Sequence, residues 1–201
     1  MDYKLLLQAI GVALGLLYLW LEYRANIYLW IVGLIMPVVH GVLYFKSGLY
    51  ADCSMQVYYV LAGLYGLAVW HRRSSDAKKN VSDAKKNASA DIAPTPVRLI
   101  APLAAVYAAA HVAIYFFLVR FTDSSVPFWD SMTTAMSIVA MWMLSRKYIE
   151  QWGVWLVVDV ITAALYVYKG IPLTAALYAL YSVLAIVGYV RWLRIYRGVA
   201  H

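Results

Sequence analysis

Asp159 is the only ionisable side chain, two tyrosine hydroxyls apart, in the run QWGVWLVVDVITAALYVY at 151–168. A carboxylate near the centre of a membrane helix costs about 2.5–3.5 kcal/mol on insertion scales, so it has to face protein or water. Trp152 and Trp155 precede it by seven and four residues. At 100° per residue these positions share one face, giving a stripe of two indoles and an anion. Indole faces and a carboxylate together attract an organic cation, through the ring quadrupole and through charge. Trp152 also suits an interfacial aromatic belt.

A second stripe lies in QVYYVLAGLYGLAVW, where Gln56, Tyr59, Gly63 and Gly66 follow helical spacing. The Gln56 amide could meet a heteroaromatic edge or a neighbouring helix, and the spacing does not choose between them. Asp130, in VPFWDSM at 126–132, could give the outer mouth a negative tint, together with Asp52, or could cap a helix. Trp30 begins an earlier span much as Trp155 does. The substrate-binding candidates are thus Gln56, Tyr59, Trp152, Trp155 and Asp159, with Trp30 and Asp130 beside them.

The elements that must position these residues are membrane helices. The chain is 64% hydrophobic and 13% charged, where soluble domains are roughly 45–50% and about 25%. An all-α integral membrane protein follows. Apolar runs at 5–23, 27–45, 52–70, 99–118, 128–145, 152–168 and 172–192 predict seven transmembrane helices. The opening MDYKLLLQAIGVALGLLYLW has no basic start or clear cleavage site and is expected to stay as the first span. Four cations (Lys4, Lys46, Arg120, Lys169) fall on one side of such a chain. Thirteen fall on the other: Arg24, seven between Arg72 and Arg98, Arg146 and Lys147, and three from Arg191 onward. The positive-inside rule then places the N-terminus outside and the C-terminus in the cytoplasm. The net charge of +7 is accounted for by these loops, and no nucleic acid is implied.

GLYADCSMQVYYVLAGLYGLAVW (48–70) echoes GIPLTAALYALYSVLAIVGYVRW (170–192), pairing Gly48 with Gly170, Tyr59 with Tyr181, Gly66 with Gly188 and Trp70 with Trp192. Trp30 aligns with Trp155 only across a gap. The expected organisation is a three-helix repeat at 1–73, a flexible cytoplasmic linker at 74–96, a linker transmembrane helix at 97–120 and a second three-helix repeat at 127–201. The halves run parallel, a transporter architecture in which substrate binds between them near mid-membrane. The linker contains a duplication, SDAKKNV at 75–81 and SDAKKNA at 82–88.

Other chemistries lack their residues. The one cysteine, Cys53, allows no internal disulfide. His40 and His111 have no ligand spacing, so no metal or cofactor is expected. No phosphate-binding loop or nucleophile triad appears, so an enzyme is not expected.

PFWDSMTTAMSIVAMWMLSRKYIEQWGVWLVVDVI resembles the signature of the PnuC family of vitamin transporters, and LYADCSMQVYYVLAGLYGLAVW is similar to the family's third span. The resemblance implies a three-plus-one-plus-three fold like that of the SWEET sugar transporters. It also implies homotrimers in the bacterial inner (plasma) membrane and facilitated diffusion, with the vitamin trapped by cytoplasmic phosphorylation. Asp159 stands where nicotinamide riboside members tend to have Asn, and Gly63, Leu67 and Met36 stand where they tend to have Asn, Trp and Asn. LYLWLEYRANIYLWIVGLIMP looks like the branch associated with thiamine. Thiamine is therefore the substrate expected first, with nicotinamide riboside or a proton-coupled carrier as the alternative.

Overall fold

The computed structural model describes residues 3–46, 50–79, 92–168, 170 and 172–198. Seven α-helices lie among them: α1 (Tyr3–Tyr23), α2 (Tyr28–Lys46), α3 (Tyr50–Lys79), α4 (Ile100–Phe121), α5 (Pro127–Ser145), α6 (Gln151–Tyr168) and α7 (Pro172–Tyr196). A 3-10 turn, Val97–Leu99, leads into α4. Among the described residues, Val97–Phe121, Gln151–Tyr168 and Ala175–Tyr196 are long and apolar enough to cross a bilayer. No residue of α4 is buried, and Phe116 and Phe121 are 65% and 72% exposed. Apolar surface this continuous has to be covered by something other than water.

The chain divides into two compact units, Met1–Asp91 and Ile92–His201. In the first, α1 packs on α2 and α2 on α3. The contacts are close because glycines present bare backbone to larger side chains. A Cβ at Gly33 would lie 2.8 Å from the Tyr18 ring, and one at Gly63 would lie 2.8 Å from Leu34. Trp30 seats on Gly66 in the same way. Glu22, at the end of α1, is 1% exposed. α2 carries Pro37 within its length.

In the second unit α4 packs on α5, α5 on α6 and α6 on α7. Ser131, Ala135, Ala140 and Leu144 are buried on α5, which packs against both α4 and α6. The Ser131 hydroxyl donates to the Phe128 carbonyl at 2.8 Å and lies 3.1 Å from His111 Nδ1. His111 is stacked on Tyr107 and edge-on to Phe128, which gives this lone histidine a place in α4–α5 packing.

One local geometry occurs twice, 122 residues apart. Ala25 and Lys147 both have positive φ, 50° and 57°. Ala25 N–H donates to the Glu22 carbonyl (2.8 Å) and Asn26 N–H to Leu21 (2.9 Å). Lys147 N–H donates likewise to Leu144 (2.9 Å) and Tyr148 N–H to Met143 (3.0 Å). This pair of bonds is a Schellman motif, which reverses the chain at a helix end through one left-handed residue. Each turn also sets an arginine over the tryptophan one turn back, Arg24 over Trp20 at 4.4 Å and Arg146 over Trp142 at 5.5 Å. Beyond the turns, Trp30 meets Trp70 edge-on at 5.8 Å, and Trp152 meets Trp192 edge-on at 5.6 Å. The counterpart of Trp30 is therefore Trp152 with no gap, and the expected alignment with Trp155 is corrected. Both tryptophans follow the same turn and wedge against the same glycine position, Gly66 and Gly188.

The two turns satisfy the first amides of the next helix differently. In the first unit the Asn26 side chain accepts from Tyr28 N–H at 3.0 Å, an ordinary N-terminal cap. In the second, the segment before α4 does this. Ala93 bridges to Tyr148 in parallel, accepting from Ile149 N–H at 3.1 Å and donating to the Lys147 carbonyl at 3.2 Å. Thr95 N–H and Oγ1–H both donate to Glu150 Oε2 at 2.7 Å, and Ile92 is 4% exposed. The stretch expected to be a flexible linker over 74–96 is thus helical to Lys79 and fixed from Ile92 onward. The second duplicated segment, 82–88, lies outside the described residues, as do the side chains of His40, Asp52 and Cys53.

Hydrogen bonds to a charged group contribute about 1.5–3 kcal/mol. Glu150→Ala should therefore lower the thermal midpoint in detergent and speed amide exchange at Ile149. Unchanged exchange there would show that the strap holds without Glu150.

Candidate functional site

Asp159 lies on α6 and is 7% exposed. Its carboxylate makes no hydrogen bond or ion pair with any other described residue, which for a buried charge is costly. It acts electrostatically on Tyr181, across on α7. Tyr181 meets Tyr178 edge-on at 5.7 Å, and Tyr178 stacks on Tyr166 of α6 at 5.5 Å and 17°. Three tyrosine rings thus run from the carboxylate along the α6–α7 seam. Trp155 sits one turn before Asp159, half-buried, and its buried indole N–H has no partner among the described residues. Together these groups offer a negative charge, ring faces and a free donor, which suits a flat cationic heteroaromatic ring.

Of the other expected residues, Trp152 shares α6, Asp130 lies on α5, and Trp30, Gln56 and Tyr59 belong to the first unit. Trp152 and Trp30 are 2% and 1% exposed, their rings occupied by Gly188 and Trp192 and by Gly66 and Trp70. They act as helix-packing wedges, which places Trp152 and Trp30 in the packing of their units. Gln56 and Tyr59 are half-buried on α3, and Tyr59 touches Tyr58 edge-on at 5.5 Å. Asp130 is half-buried in the first turn of α5 and is not its N-cap. The N-cap of α5 is Val126, and Asp130 Oδ2 accepts from Ser124 Oγ at 2.6 Å, fastening the loop before α5. Tyr181 was the residue sequence reasoning passed over, although its pairing with Tyr59 marked it. Among the described residues no group of His, Cys, Asp and Glu could hold a metal ion.

Exposed apolar helices enclosing a buried carboxylate and an aromatic seam define an integral membrane protein of the helical class. The family model for nicotinamide mononucleotide transporters matches residues 5–194. The chain belongs to that family, whose members are transporters and not enzymes. It is 26% identical to the nicotinamide riboside transporter PnuC of Escherichia coli K12, over 93% of this chain and 84% of that one. It is 22% identical to the PnuC of Neisseria mucosa, over 94% and 72%. A crystal structure of the vitamin B3 transporter PnuC is similar in fold, with a TM-score of 0.68 at 21% identity, covering 95% of this chain and 82% of that chain. The named relatives are nicotinamide riboside transporters, so placing thiamine first has no support from them.

Proposed function

We propose that this protein carries nicotinamide riboside, or a vitamin of the same flat cationic kind, across the bacterial inner membrane by facilitated diffusion. The family match over residues 5–194 carries the reading. Asp159, Trp155 and Tyr181 are the proposed substrate contacts in the second unit, and Gln56 and Tyr59 stay candidates in the first. A pyridinium ring offers the positive charge that an unpaired carboxylate lacks. Thiamine is the second reading, favoured by Asp159 standing where riboside members tend to have Asn.

The proposal includes seven spans, an outer N-terminus and a cytoplasmic C-terminus, supported by the cation asymmetry of the loops. It also includes a parallel repeat of three helices on each side of α4, supported by the geometry shared at an offset of 122 residues. The trimer and trapping by phosphorylation rest on the resemblance to the PnuC family.

Uptake into proteoliposomes tests the mechanism. Nicotinamide riboside should equilibrate to equal concentration inside and out without any ion gradient. Accumulation that appears only with an inward proton gradient would make Asp159 a proton relay and overturn facilitated diffusion. Calorimetric titration with nicotinamide riboside and with thiamine decides the substrate.

A further inference from the structure

The second unit contains a cavity of about 540 Å³ that vitamin transport leaves unused. Leu103, Ala104 and Tyr107 line it from α4, and Met132, Met136 and Met143 from α5. The methionines recur on one face of α5 and span about 16 Å at 1.5 Å per residue. This is a slot and not a round pocket. Thioether side chains adapt to an irregular apolar guest. The α4 wall belongs to a helix with no buried residue, so the slot lies in surface that faces lipid chains.

One end is different in kind. Thr95 and Glu150 line it there, and Glu150 is the only charged lining residue among those described. Both Thr95 bonds fall on Oε2, and Oε1 has no partner among the described residues. A carboxylate accepts about four hydrogen bonds, and one beside an apolar slot gains from a cationic donor. The matching guest has an alkyl chain and a primary ammonium group.

We propose that the slot seats one acyl chain of a phosphatidylethanolamine, whose ammonium bonds Glu150. A choline headgroup has no N–H to donate, and an anionic headgroup is repelled. Glu150 follows the α5–α6 turn, placed on the cytoplasmic side above, so the lipid comes from the inner leaflet. Val154 also lines the slot and is the neighbour of Trp155. Lipid occupancy therefore reaches the helix that carries Asp159. This site does not depend on which vitamin is carried.

Photolabelling tests it without a transport readout. The full-length protein is placed in phosphatidylcholine vesicles with a trace of phosphatidylethanolamine bearing a diazirine in its acyl chain. Label should concentrate on 103–107 and 132–143. Unlabelled phosphatidylethanolamine should displace it about tenfold better than phosphatidylcholine, as expected for a bond to a charged group. Glu150→Gln should erase that preference while leaving label in the slot. Ala104→Trp should exclude the label, and Met136→Trp serves if that variant misfolds. Label spread evenly over α4 and α7, or equal displacement by the two lipids, overturns the proposal. A disulfide-linked dimer formed by Ala104→Cys in a Cys53→Ser background would also overturn it, because a second copy would then cover the slot.

Discussion

Asp159→Ala lowers nicotinamide riboside affinity about ten- to a hundredfold by calorimetry, the loss expected for about 1.5–3 kcal/mol from a bond to a charged group. The same change leaves the thermal midpoint unchanged or raises it. The two results belong together. A buried carboxylate held in a structural ion pair costs about 3–5 kcal/mol of stability when its partner loses it. Asp159 has no such partner among the described residues, and its burial is a cost that a cationic ligand would offset. Asp159→Asn separates the substrates, since it keeps size and removes charge. Both vitamins are cations, so both should bind the variant less tightly, and the one whose ring charge sits at Asp159 should lose more. If both ligands bind the variant as before, the carboxylate is structural and the contacts lie elsewhere.

The second large effect concerns packing. A Cβ on Gly188 would stand 2.6 Å from the Trp152 ring, and that ring is pinned edge-on by Trp192. Overpacking of this kind costs about 1–3 kcal/mol, so Gly188→Ala should lower the thermal midpoint with no direct loss of a substrate contact. Trp152→Phe, which removes part of the indole, should recover much of that loss in the double variant. Gly66→Ala should do the same through Trp30, whose ring lies still closer. A Gly188→Ala variant as stable as the parent would show that Trp152 is free to move and does not serve as a fixed packing wedge.

Much of the fold was legible because lipid simplifies the code. Apolar runs had to be helices, and their ends fell within a few residues except in α3, where the apolar run stops at Trp70 and the helix continues to Lys79. The local geometry shared at an offset of 122 residues was half legible, from Gly66, Trp70 and their partners, whereas Trp30 was aligned with Trp155. Trp152 and Trp155 are both tryptophans near one helix start, and only the turn before them shows which one answers Trp30. That turn escaped sequence reading for a physical reason. A left-handed residue is usually glycine, and here it is Ala25 and Lys147. The strap at 92–96 was missed because APTP reads as a linker, while its bonds go to Lys147, Ile149 and Glu150, far along the chain. Asp159 was found because a carboxylate stands out among apolar residues, whereas Tyr181 is one of 18 tyrosines. The choice of thiamine leaned mainly on Asp159, with Gly63, Leu67, Met36 and the LYLWLEYRANIYLWIVGLIMP stretch beside it, while the named relatives are nicotinamide riboside transporters.

Carried along α2 and α6, the offset that pairs Trp30 with Trp152 pairs Pro37 with Asp159. Pro37 has no N–H, so the Gly33 carbonyl has no bond to receive from it. α6 has no proline and keeps its backbone ladder through the same level. The two hairpins that share this local geometry thus differ in kind at one position. One spends it on compliance, the other on charge. A bend at this level costs less in α2, which carries no carboxylate, than in α6, which keeps its full backbone ladder around Asp159.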